Sequence, residues 1–205
     1  MPSRAVDWAE RHPWRLLGAY LLVTTALYQL ALRAPLYAPM VVPPLPWEDA
    51  VPLLPWSAWI YMTYFALMPS FVVATREAAD PRLGARLLLA AMLVVLGNLT
   101  INLFLPTEVG RVLDPAAAGG WPLSQIIEGD TPRAALPSGH VSLPTALTAL
   151  AFVGGLRARW AYAAWTILLG VSVLTTRQHV LLDALAGLVY GGVGAGLAYL
   201  AVRRR

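Results

Sequence analysis

The sequence predicts an all-α, polytopic membrane protein with six transmembrane helices and both termini in the cytoplasm. Three observations carry this. The 205-residue chain is 58% hydrophobic and only 13% charged, with a mean hydropathy of +0.61, against about 25% charged residues in a typical soluble domain. Its apolar residues gather into runs, each near the ~20 residues that cross a bilayer core. Its arginines fall unequally on the two sides that those runs define.

The runs extend from about Trp14 to Leu32, Trp56 to Thr75, Gly84 to Leu105, Val141 to Leu156, Trp160 to Thr175 and Ala184 to Val202. The fourth and fifth are short. A lipid-facing segment must satisfy its own backbone hydrogen bonds, and no run alternates as a barrel strand does, so all six read as helices. Residues 1–205 form one membrane domain, with no soluble domain and no internal repeat. Asp7, Glu10, Arg11 and His12 precede the first run, and no small-residue cleavage site closes it, so it reads as a retained span rather than a signal peptide.

Every one of the 15 basic residues is arginine. Arg4, Arg11, Arg15, Arg76, Arg82, Arg86, Arg157, Arg159, Arg203, Arg204 and Arg205 share one side; Arg33, Arg111, Arg133 and Arg177 lie on the other. The positive-inside rule makes the first side cytoplasmic. Orientation therefore accounts for the net charge of +4 without a nucleic-acid partner. The chain has no cysteine, which excludes disulfides and thiolate metal sites. Trp8, Trp14, Trp47, Trp56, Trp121 and Trp160 stand near run ends, as interfacial tryptophans do.

Between Pro35 and Pro55 lie seven prolines, counting both ends, a density that forbids a regular helix. The segment suits a greasy connector or an interfacial cover over a site mouth. The 106–136 loop is longer and more polar, and long ordered loops are often functional. Gly191, Gly192, Gly194 and Gly196 in the last run suggest close helix packing.

Two polar stretches interrupt this background at outward-facing run ends. In the second, Thr176-Arg177-Gln178-His179, Asp183 follows the histidine by four residues, which places both on one helical face. A carboxylate there can hold one imidazole nitrogen as a donor and leave the other as a base or nucleophile. Taken alone, the pair also suits a structural cap. The first stretch, Pro137-Ser138-Gly139-His140, forms a tight turn before the fourth run, where free N–H groups suit phosphate oxygens. Ser138 adds a hydroxyl, and His140 can protonate a leaving oxygen. Together the stretches fit phosphoryl transfer without a metal or other cofactor.

These residues resemble the type 2 phosphatidic acid phosphatase superfamily, which includes membrane lipid phosphatases and vanadium haloperoxidases. The resemblance implies that His179 attacks phosphorus to form a phosphohistidine, Asp183 orients it, and His140 serves as acid and then base. It also implies that Ser138 and the Gly139 N–H bind phosphate. Where the usual third motif has Ser-Arg, this chain has Ser172 and Val173, so Arg177 is the candidate replacement cation. The Thr-Arg-Gln-His-x-x-x-Asp pattern is instead similar to the branch of inositol phosphorylceramide and sphingomyelin synthases. The usual first motif is absent. Leu105-Pro106-Thr107-Glu108-Val109-Gly110-Arg111 resembles a stretch of that same branch, making Arg111 a further phosphate-binding candidate. Asp130 also resembles a position of that branch.

Glu108, Asp130, Arg133 and Asn102 are candidate substrate-binding residues, although Asn98 and Asn102, one turn apart, suit helix–helix hydrogen bonds better than a head-group contact. The expected substrate is a membrane lipid phosphate, met at the extracytoplasmic edge of the cell membrane. The leading expectation is a lipid phosphatase. A phosphotransferase onto a lipid or polyol alcohol is the alternative. A transporter fits less well, because transporters place ionisable groups near the midplane.

Overall fold

The computed structural model describes residues 4–34, 36–110, 113, 118–129 and 132–203. Arg111 and Asp130 lie outside them. The chain is mostly helical, 73% in all. The amphipathic α1 (Arg4–Arg11) precedes α2 (Pro13–Arg33), and Pro13 stands at its first turn, where a missing N–H costs nothing. The second apolar run is an uneven helix: a 3-10 turn at Pro55–Ser57, α3 (Ala58–Met62), a 3-10 stretch at Thr63–Ala66, and α4 (Leu67–Thr75). Pro69 explains the unevenness, since it has no N–H for the Phe65 carbonyl four residues back. The Asp80 side chain accepts the Arg82 N–H at 3.0 Å and starts α5 (Pro81–Phe104). α6 (Leu123–Gly129), α7 (Gly139–Val153), α8 (Arg159–Thr175) and α9 (Leu181–Arg203) complete the order. Gly155, at φ +62°, terminates α7 in the left-handed conformation that favours glycine.

Four segments are long and apolar enough to cross a membrane: Pro13–Arg33, Pro55–Thr75, Pro81–Phe104 and Leu181–Arg203. The fourth and fifth predicted spans form helices of 15 and 17 residues. At about 1.5 Å per residue these fall short of a ~30 Å hydrocarbon layer. One short strand pair among the described residues joins two of the loops. β1 (Met40–Val42) pairs in parallel with β2 (Thr107–Val109) in the register Met40↔Thr107 to Val42↔Val109. Flanking prolines deny both segments a helix, and their valines and threonine suit extended backbone.

α5 is the centre of the bundle and packs against α1, α2, α4, α7 and α9. Its buried face, including Leu87, Leu88, Ala91, Val94 and Val95, meets Leu67, Phe71, Leu143, Leu147 and Leu150 in the main core. Outer faces are apolar too: Leu22, Phe65, Ile167, Val189 and Leu197 are exposed. Such side chains suit a surrounding hydrocarbon.

The tightest seam is between α7 and α9. A Cβ on Gly187 would stand 2.8 Å from the Ser138 carbonyl oxygen, and one on Gly191 would collide with that of Ser142. Only glycine permits this approach. Of the predicted glycine cluster, Gly191 lies in the seam and Gly194 approaches Val94, whereas Gly192 and Gly196 face open space. Gly187 was not foreseen.

Candidate active site

The α7–α9 seam carries both histidines to one end of the bundle. The Ser138 N–H donates to the Asp183 carbonyl at 3.1 Å, joining the two predicted motifs directly. Pro137 is held from α5, where Asn98 Nδ2 donates to its carbonyl at 3.0 Å. The Leu136 N–H donates to Thr107 Oγ1 at 2.7 Å, so β2 braces the same turn. The His140 and His179 rings then lie 5.9 Å apart between centroids.

His179 precedes α9, and Asp183 sits in its first turn. The Asp183 carboxylate is fully buried; its Oδ2 lies 3.3 Å from His179 Nδ1 and accepts the Val180 N–H at 3.2 Å. A carboxylate in that first turn is also favoured by the helix dipole. This fixes Nδ1 as the donor and leaves Nε2 as the lone-pair nitrogen. Arg177, at φ +56°, turns the chain between α8 and α9, and the Gln178 and His179 N–H groups both donate to the Val173 carbonyl. An arginine in this backbone region is strained and needs surrounding support.

His140 is held differently. Its ring lies 4.0 Å from that of Tyr61, nearly parallel, and 4.3 Å from that of Tyr64. Its buried Nε2 has no hydrogen-bond partner among the described residues. Ser138 Oγ is likewise buried without a partner. The N–H groups of Ser142 and Val141 both return to the Ser138 carbonyl, and those of Gly139 and His140 have no acceptor among the described residues. The start of α7 therefore leaves two N–H donors and a buried hydroxyl without partners among the described residues, the donor set of an anion site.

A cavity of about 510 Å³ opens in front of the histidines, walled by α2, the α3–α4 segment, α5 and the Trp121–Ile126 region. Along α2 its wall runs from Tyr20 to Leu32, roughly 18 Å at the helical rise. His140, His179, Gly139, Asn102 and Arg133 all line it.

Other predicted residues stand elsewhere. Ser138, Asp183, Glu108 and Arg177 are not in the cavity wall. Glu108 pairs through its backbone with Arg133. The Arg177 guanidinium donates to the carbonyls of Val51 at 3.1 Å and Asp49 at 3.4 Å, which engages it with the proline-rich loop. Arg133 donates through one terminal nitrogen to the Leu32 carbonyl at 2.8 Å. Among the described residues no three His, Asp or Glu side chains gather into a metal site.

Sequence reasoning missed three contributors. Tyr61 and Tyr64 showed only a three-residue spacing in an apolar run. Glu48 is 2% exposed, and its carboxylate accepts the Leu45 N–H at 2.8 Å and the Leu181 N–H at 2.9 Å. The loop is thus docked on the first residue of α9, beside His179, and the Leu54 N–H adds a bond to the Thr175 carbonyl. An acidic residue in so apolar a loop was the available signal.

No curated protein and no solved structure matched the chain. The PAP2 superfamily model matches residues 43–197, which contain both motifs, the docked loop and the helices that join them. That is well over half of the sequence, and the chain belongs to the PAP2 superfamily.

Proposed function

We propose that the protein is an integral-membrane lipid phosphate phosphatase that works through a phosphohistidine on His179. The observation that carries this reading is the pair of rings across one cavity, His179 backed by a buried carboxylate and His140 with a free nitrogen. His179 Nε2 attacks phosphorus, the bond from phosphorus to the lipid oxygen breaks, and His140 gives that oxygen its proton. Water then gives a proton to His140 and attacks the phosphohistidine. The P–N bond breaks, inorganic phosphate leaves, and both rings are restored.

Ser138 Oγ and the Gly139 and His140 N–H groups bind the phosphate oxygens and stabilise the charge that grows on them. Arg133, Arg111 and Arg177 are the proposed cations, Arg177 only after leaving the loop carbonyls. Glu108, Asp130 and Asn102 are proposed contacts to the rest of the substrate. The apolar part of the cavity wall, Met62, Phe65, Met68, Val95 and Leu99, offers the tail a path in from the bilayer.

In this reading α7 and α8 are short fourth and fifth spans of a six-span protein with cytoplasmic termini. Both motifs then face the extracytoplasmic side of the cell membrane. In support, the motif end of the bundle is poor in arginine, whereas Arg76, Arg82, Arg86, Arg157 and Arg159 cluster toward the opposite helix ends.

A second reading keeps the phosphohistidine and passes the group to a lipid or polyol alcohol instead of water. Val173 in place of an arginine, and the Thr-Arg-Gln-His pattern like that of the sphingolipid synthase branch, favour it. Phosphate release from phosphatidic acid, isoprenyl diphosphate and phosphosphingolipids by purified protein tests the first reading. Release by wild type and none by His179→Ala is expected; equal release sinks it. Slow hydrolysis with fast transfer to an added alcohol would select the second reading.

A further inference from the structure

The amide pair on α5 has a direction. The Pro137 carbonyl can only accept, so Asn98 must turn Nδ2 toward it and Oδ1 away. Asn102 Nδ2 donates to that Oδ1 at 3.1 Å. The remaining atom of Asn102 is therefore its oxygen. A backbone carbonyl two residues upstream of Gly139 thus sets the polarity of both side chains, where amide orientation is otherwise ambiguous.

Asn102 is 2% exposed, lines the cavity, and its Oδ1 has no hydrogen-bond partner among the described residues. A buried carbonyl oxygen left unpaired is unfavourable. It also repels the acceptor-only oxygens of a phosphate dianion. Its complement is a hydroxyl or N–H donor. On α5 it stands one helical turn from Asn98, whose partner adjoins the phosphate-binding turn, so the donor belongs within a turn's length of the phosphate.

We infer that Asn102 is a specificity-determining residue that accepts a hydrogen bond from a hydroxyl or N–H group close to the phosphate of the substrate. The site then selects hydroxyl- or amide-bearing partners over fully esterified lipid phosphates. This rests on the cavity being the lipid-phosphate site. The donor has two possible sources, the lipid backbone itself or an alcohol that receives the phosphoryl group.

The test compares ceramide 1-phosphate, which has both donors, with phosphatidic acid of matched chains, which has neither. In one arm, phosphate release is measured for wild type and Asn102→Ala. A backbone source predicts a wild-type preference in kcat/KM of about 10-fold or more for ceramide 1-phosphate, lost in the variant. In a second arm, glycerol or inositol is added with phosphatidic acid as donor. An alcohol source predicts transfer whose KM for the alcohol rises about 10-fold in Asn102→Ala. The preference is a ratio within one preparation, so partial misfolding of the variant cancels. No preference in wild type and no Asn102-dependent transfer overturns the inference.

A third arm separates this from failure of the functional reading. Thermal stabilisation of His179→Ala, with and without Asn102→Ala, is measured against both lipids. Stronger stabilisation by ceramide 1-phosphate, abolished by Asn102→Ala, supports the inference even without turnover. Equal stabilisation by the two lipids, together with no Asn102-dependent stabilisation by added glycerol or inositol, overturns it.

Discussion

The two histidines of the site are held by opposite kinds of force. His179 is fixed by directional bonds: a carboxylate on Nδ1, a carbonyl on its own N–H, and a helix start whose first N–H is capped by Glu48. His140 is held by faces, stacked against Tyr61 and close to Tyr64, with Nε2 unpartnered among the described residues. Hydrogen bonding fixes a tautomer and a direction, which suits a nucleophile. Stacking fixes a plane and leaves a nitrogen free to gain and lose a proton, which suits an acid–base group. The ring centroids stand 5.9 Å apart, close enough to act on one phosphate group between them. The pair therefore divides the work.

The sharpest break of this division is a change of leaving group. His179→Ala should lose about 10⁴-fold or more of kcat, as loss of a nucleophile does, on lipid phosphates and on a nitrophenyl phosphate alike. His140→Ala should lose about 10²- to 10⁴-fold on lipid phosphates and recover most of it on the nitrophenyl ester, which departs without a proton. Equal recovery by both variants would remove the distinction between them.

Asp183→Asn keeps the shape of the side chain but can present an N–H to Nδ1 and so select the wrong tautomer. A loss of about 10²- to 10⁴-fold in kcat is expected, with KM little changed. A KM effect alone would make Asp183 a structural cap.

Smaller effects probe the stacked ring. Tyr61→Leu removes a contact worth about 1 kcal/mol and should lower kcat several-fold on lipid phosphates, with Tyr61→Phe close to wild type. An equal loss in both would move the role from the ring to the hydroxyl.

Glu48→Gln is the mildest of the set. It retains one acceptor but loses the charge at the start of α9, and thermal stability should fall by about 0.5–2 kcal/mol. No shift in melting temperature would show that the loop does not brace the helix.

How much could be read in advance follows the range of the interactions. His179 and Asp183 are four residues apart, so their contact is written in local spacing, as is the turn at Pro137–His140. The apolar runs predicted the helix segments to within a few residues, because helix formation in such runs is local. Glu48 and Leu181 are 133 residues apart, and nothing in either neighbourhood announces the other. The β1–β2 pair joins loops more than sixty positions apart, and each strand has only three residues, too few for an alternating pattern. Arg177 was legible as a charge beside the motif; its bonds to Val51 and Asp49 depended on where the proline-rich loop came to rest.

The glycine seam between α7 and α9 has a consequence for building hybrids of this protein. Where no side chain separates two backbones, each helix is a mould for the other, and a matching pair must be inherited together. A chimera that takes α7 from one relative and α9 from another would change the gap at Gly187 and Gly191, and with it the spacing of the two rings. The exchangeable parts are those joined through ordinary side-chain contacts, such as α1 and α2. The indivisible cassette is residues 137–203, in which the two motifs are bolted together before any substrate arrives.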